Sequence, residues 1–199
     1  MYAYIRGRVI ARQADYIVVD NQGIGYRIQA APALIERFPA RGEEGTFYTY
    51  LYVREDTQAL FGFPTSEELH MFELLLTVSG IGPKIASAIV GTLSPSQFAL
   101  AIITGDIKVL TSVRGIGRKG AERMILELKD KLKGAELPEE LGPDSQRLSD
   151  DSTPRSEAVN ALMVLGYSAA QSTQAVAAVF TPDCGLEELI KLALRQLVR

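Results

Sequence analysis

Two lysines, Lys84 and Lys119, stand at the same step of a nine-residue stretch that the chain uses twice. Val78 to Ala86 reads Val-Ser-Gly-Ile-Gly-Pro-Lys-Ile-Ala, and Val113 to Ala121 reads Val-Arg-Gly-Ile-Gly-Arg-Lys-Gly-Ala. Six of the nine positions are identical, at an offset of 35. The chemistry this spacing offers is anion binding. Each copy closes one helical pattern and opens another; Gly-Ile-Gly supplies the positive φ of a sharp reversal while its isoleucine fills apolar space between the helices. The opening helix begins with amides that have no acceptor inside the helix and with the positive end of its dipole, which together bind a phosphate. Pro83 takes the first helical position, where a missing N–H leaves nothing unsatisfied. Lysines at this end oppose the macrodipole. Two of them in matched positions, joined by Arg118 in the second copy, indicate that an anion completes each site. Gly80, Ile81, Gly82 and Lys84, with Gly115, Ile116, Gly117, Arg118 and Lys119, are the candidate phosphate-binding residues. Arg123, one turn beyond Lys119, extends the second set.

A lone Gly-x-Gly before a helix is more often a tight turn than a ligand site; the duplication, with a lysine in both copies, argues otherwise. Neither copy has the four-residue spacing and Gly-Lys-Ser/Thr ending of a nucleotide cradle, so no ATP hydrolysis is expected of this chain. His70 is the only histidine, no nucleophile–base pair stands out, and neither a cofactor nor a metal is expected. The enzymatic alternative is a DNA-repair glycosylase or a metal-dependent nuclease built on the same hairpins, for which Lys84, Lys119 and Asp130 remain available. A pure protein adaptor is a third class, separable by a failure to shift DNA in a gel.

The net charge of −3 argues against a polyanionic partner until its distribution is read. Residues 77–134 carry nine Lys/Arg against four Asp/Glu, whereas 135–153 carry one against six. Local field decides phosphate attraction, and around the repeats it is positive. The remaining acidic excess falls on Glu67, Glu68 and Glu73. No apolar run reaches membrane-spanning length, and the first residues lack a signal peptide's order, so a cytoplasmic location without a membrane is expected. Cys184 is the single cysteine, expected buried or idle.

The elements that position the repeats follow from periodicity. Residues 2–12, 15–21, 23–30, 46–54 and 57–62 read as strands, with a helical interruption at 32–38, the pattern of a small OB-type Greek-key barrel. Tyr2, Tyr4, Tyr48, Tyr50 and Tyr52 lie at strand spacing, either packing rings in the barrel and between subunits or facing a nucleic acid. Glu55 and Asp56 occupy the turn between the last two strands. They read as a solvated turn, as part of a metal site, or, beside bound DNA, as charges that repel phosphates and guide strands. From Ser66, expected as a cap, the period becomes helical, with Leu69, Phe72, Leu75 and Leu76 as one buried stripe. Ser94-Pro95 opens a connecting helix that Gly105 ends. A short helix follows Asp106, and Arg118 to Lys133 forms a long one with Met124, Ile125, Leu128 and Leu132 inward. Residues 135–153 read as a flexible acidic tether. Three amphipathic segments, 155–165, 168–180 and 185–198, then make a small bundle that grips another protein through Leu165 and Tyr167, or buries these in its own core.

With these parts placed, the sequence resembles the RuvA family over essentially its whole length. The resemblance rests on Val53-Arg54-Glu55-Asp56 with Leu60-Phe61-Gly62-Phe63, on Gly80-Ile81-Gly82-Pro83-Lys84, on Gly115-Ile116-Gly117-Arg118-Lys119 with Ala121-Glu122-Arg123, and on Leu165-Gly166-Tyr167. It implies an α+β multidomain protein: an OB-fold barrel with an acidic pin over 1–63, a tandem helix-hairpin-helix domain over 64–134, a linker over 135–153 and a UBA-like three-helix bundle over 154–199. It further implies a non-catalytic homotetramer, one or two per junction, that holds four-way Holliday junction DNA open. Glu55 and Asp56 match the family's acidic pin. The bundle would bind RuvB, a hexameric ATPase that drives branch migration, and the RuvC resolvase would share the assembly, in homologous recombination, DNA repair and the SOS response to DNA damage.

Overall fold

The computed structural model describes residues 2–133, 154–181 and 184–197; the tether expected over 135–153 lies outside them. The chain divides into two compact units. One runs to Ser94 and takes in Val113–Gly115; the other takes in Pro95–Ser112 and continues from Ile116.

The first unit opens with strands β1 (Tyr4–Arg12), β2 (Tyr16–Asn21), β3 (Ile24–Gln29), β4 (Glu44–Val53) and β5 (Gln58–Phe63), with helix α1 (Pro32–Arg37) between β3 and β4. Period-two alternation sends Ile5, Val9, Ile17, Val19, Ile28 and Phe47 inward, where all are buried. The strands close in the order β1-β2-β3-β5-β4, since β4 pairs with both β5 and β1. Closure requires β3 to run parallel to β5, Ile28 opposite Leu60 and Gln29 opposite Phe61. Beside that seam a Cβ on Gly62 would collide with Ile28 Cγ2, so only glycine lets the strands approach. This is the OB-type barrel that the strand pattern predicted. Helix α1 buries Leu34 and Ile35, and the Phe38 ring meets Phe47 edge-on at 5.2 Å.

Helices α2 (Ser66–Leu76) and α3 (Pro83–Thr92) complete this unit. The cap of α2 is Thr65 rather than Ser66: Thr65 is extended, and its hydroxyl accepts the Glu68 N–H at 3.3 Å. The buried stripe of α2 is also rotated from its expected position. It runs through Glu68, Met71, Phe72 and Leu75, with Leu69 and Leu76 only half-buried. Rotation is tolerated because the Glu68 carboxylate, 2% exposed, accepts bonds from Arg37 of α1 and from Thr65. A buried charge so satisfied can occupy a core position. Phe72 then packs among Tyr50, Phe61 and Phe63, with centroids within 5.5 Å. Buried Ser87 of α3 accepts the Ala31 N–H at 3.0 Å, tying α3 to the start of α1.

In the second unit, α4 (Pro95–Thr104) ends at Gly105, whose φ is +69°. Helix α5 (Ile107–Thr111) is capped by Asp106, which accepts from Lys108 and Val109 amides at 3.0 and 3.2 Å. Helix α6 (Arg118–Lys133) buries Ala121, Met124 and Leu128 and half-buries Ile125; the Leu132 side chain falls outside the described ones. Helices α7 (Pro154–Val164), α8 (Ala169–Val179) and α9 (Leu186–Leu197) form the expected bundle, and α9 also lies against α4. Between α7 and α8 the chain stops one helix and starts the next. Gly166 takes φ +99°, its N–H reaches the Met163 carbonyl at 2.9 Å and the Tyr167 N–H reaches that of Leu162 at 3.1 Å, a Schellman stop. Ser168 and Gln171 then close a capping box. Among the described residues no single helix is long and apolar enough to cross a membrane.

Candidate nucleic-acid interface

Each Gly-Ile-Gly forms the corner between two helices. In the first, Gly80 takes φ +84° and the Ile81 N–H bonds the Val78 carbonyl at 3.1 Å. Gly82 is the N-cap of α3, extended at φ −95° and ψ 171°, and its carbonyl accepts the Ala86 N–H at 2.9 Å. With Pro83 next, the amides of Lys84 and Ile85 have no acceptor within the helix. The second corner repeats this plan: Gly115 takes φ +96°, and the Gly117 carbonyl accepts the Ala121 N–H at 3.0 Å. The amides of Arg118, Lys119 and Gly120 open α6. The repeated valine and alanine hold each corner from inside: Val78, Ala86, Val113 and Ala121 are all buried. Ile116 is buried as expected and Ile81 half-buried, while Lys84, Arg118, Lys119 and Arg123 are exposed.

The two glycines of each corner differ in what requires them. Gly80 and Gly115 have positive φ, which a side chain would strain. Gly82 and Gly117 do not, and a Cβ on either would meet nothing within 4 Å. Neither dihedral nor crowding therefore demands glycine at these two positions, although glycine suits the N-cap that Gly82 provides. The space beside the first helix amides is open at both positions. The sequence named all four glycines as candidate phosphate-binding residues and explained them by turn geometry; the dihedrals separate the pair that the turn requires from the pair that it does not.

Arg118 donates from Nε to Glu122 Oε1 at 2.8 Å, and its pKa is raised first by that hydrogen bond and then by the carboxylate's charge. The pair is exposed and spans one helical turn, so it yields readily to a competing anion.

In the barrel, Glu55 and Asp56 form the tip of the β4–β5 hairpin. Arg54 and Thr57 close it through backbone bonds, 2.8 Å from the Arg54 N–H and 3.4 Å from the Thr57 N–H. Both carboxylates are exposed, with no ion-pair partner among the described residues. No group of three or more His, Cys, Asp or Glu side chains comes together among the described residues. Of the tyrosines, Tyr50 packs on Phe72 and Tyr52 on Phe61, while Tyr4 is 60% exposed. In the bundle, Leu165 is 4% exposed and belongs to the core, whereas Tyr167 is half-exposed. Cys184 is a half-buried free thiol.

A closed barrel carrying an acidic hairpin tip, followed by two glycine-cornered helix pairs with basic first turns, defines a class of helix-hairpin-helix proteins. Comparison with known families narrows it. Residues 1–62 match the RuvA N terminal domain, 72–130 the SAM-like helix-hairpin-helix tandem, and 153–198 the RuvA C-terminal domain. The Holliday junction branch migration complex subunit RuvA of Acetivibrio thermocellus is 49% identical, with all of both chains covered. That of Ruminiclostridium cellulolyticum is 46% identical over 99% of this chain and all of the relative, and that of Alkaliphilus oremlandii is 42% identical over all of both. The chain belongs to the RuvA family.

Proposed function

We propose that this chain binds four-way junction DNA through backbone phosphates, without reading sequence, and serves as the non-catalytic scaffold of a branch-migration complex. The observation that carries this reading is the matched pair of corners: each presents helix-opening amides without an intrahelical acceptor, an exposed lysine and a glycine with open space beside it. Phosphate contacts position a duplex and carry no base information. A protein through which DNA must slide needs contacts that every step of the helix repeats. Full-length relatives named as Holliday junction branch migration complex subunits support the same substrate.

In this reading residues 1–63 supply the barrel and acidic pin, 64–134 the DNA grip, 135–153 a linker and 154–199 the docking bundle. Gly80 to Lys84, Gly115 to Lys119 and Arg123 line the grip. Four copies form a ring on the junction in the cytoplasm. A RuvB-type hexameric ATPase docks on the bundle near Tyr167, with Leu165 supporting it from beneath, and RuvC resolves the junction in the same assembly. Glu55 and Asp56 repel phosphates at the crossover and keep the strands apart.

Binding of labelled junctions, titrated with salt, tests the grip. Lys84→Ala with Lys119→Ala lowers affinity alike for junctions of different sequence and reduces the salt slope by about 0.9 for each phosphate left without its cation. Unchanged affinity and slope would overturn the assignment. A magnesium-containing incubation with the same labelled DNA, and with damaged duplex, separates the scaffold from a repair enzyme, since protein-dependent cleavage belongs only to the latter.

A further inference from the structure

An arginine beside two exposed carboxylates ordinarily neutralises them, yet Arg54 does not. Its Nε donates to the Tyr52 hydroxyl at 2.9 Å, and its guanidinium carbon lies 5.2 Å from the centre of the Tyr52 ring. Both distances fall within the ranges of a hydrogen bond and a cation–π contact. Tyr52 lies in the last turn of alternation of β4, and Arg54 follows directly after its final residue, Val53, two positions on from Tyr52. The tyrosine is itself held, its ring edge-on to buried Phe61 at 6.5 Å and 85°. A chain of contacts thus runs from the barrel core through Phe61 and Tyr52 to Arg54, and ends short of Glu55 and Asp56.

We propose that Tyr52 is a positioning residue for junction selectivity: by tethering Arg54 back along β4, it keeps the Glu55–Asp56 tip unneutralised. Released, the guanidinium swings on its flexible stem to carboxylates one and two positions away and cancels part of the field that repels phosphates. The tether rests on the acidic-pin reading given above. Arg54 keeps its full charge while held, and the hydrogen bond to Tyr52 raises its pKa.

Tyr52→Phe keeps the ring on Phe61 and removes only the hydroxyl, so a folding defect is not expected, and a denaturation curve checks it. The measurement is the ratio of junction to linear-duplex affinity in the full chain, which a purely structural role would not move. Tyr52→Phe lowers this ratio about two- to fivefold, the size of an exposed charge interaction. The same substitution in an Arg54→Gln background lowers it no further, because the neutralising cation is gone. Glu55→Gln with Asp56→Asn lowers the ratio by itself. If that carboxylate variant lowers it and Tyr52→Phe does not, the tether is overturned while the pin stands. An equal effect of Tyr52→Phe with and without Arg54 also overturns the tether. An unmoved ratio in the carboxylate variant overturns the pin reading, and the tether with it.

Discussion

Gly80 and Gly82 are two residues apart, chemically identical, and present for opposite reasons. Gly80→Ala forces a Cβ into positive φ and costs about 1–2 kcal/mol of stability, read as an earlier denaturation midpoint. Gly82→Ala meets no neighbour and needs no unusual dihedral, so it costs only the difference between glycine and alanine at an N-cap, under about 1 kcal/mol. Under the proposed grip its main effect is on junction affinity, which falls because the new methyl crowds a phosphate oxygen approaching the Lys84 amide. Equal junction affinity of Gly82→Ala and parent would remove the clearance argument. The sequence shows that both positions are glycine; dihedrals and local space show which one serves the fold.

Elements locate these residues, and here one ion pair has a large share. In the sequence Glu68 counts only as part of the acidic excess, with Glu67 and Glu73. The fold buries it, bonded to Arg37 and Thr65. Arg37→Ala leaves that carboxylate buried without its cation and costs about 1–3 kcal/mol. Arg37→Ala with Glu68→Leu recovers most of the loss, since an apolar side chain suits the site better than an orphaned charge. A double-mutant cycle from urea denaturation measures this, and additive losses would mean the pair is not coupled. Because α2 leads into the first corner, the Arg37→Ala variant also loosens the placement of Gly80 and Lys84. The short helix expected from Asp106 is capped by that residue, whereas the capping box of Ser168 and Gln171 emerged only from the structure. The expected cap slipped by one residue at Thr65-Ser66, where two hydroxyls compete and only the backbone conformation chooses.

At the scale of the whole molecule, a chain of net charge −3 carries its positive field where the two corners lie, and its salt response follows that local field. Mass measurement of the full chain, alone and with a four-way junction, gives species at multiples of four subunits under the proposed assembly; a monomer or dimer on the junction would refute it. The sequence by itself determined the barrel, the helical corners and the small bundle, because period-two and helical apolar patterns, glycine and proline placement and an internal repeat are all local properties of the chain. It also determined the family, because those signatures recur together over the full length. Only the tertiary structure decided that Glu68 and Leu165 are core residues, that Ser87 bonds the start of α1, and that Arg54 turns to Tyr52 instead of to its acidic neighbours. The burials and the Ser87 bond depend on which distant group arrives opposite, and the Arg54–Tyr52 contact on side-chain conformation; spacing along a chain encodes neither.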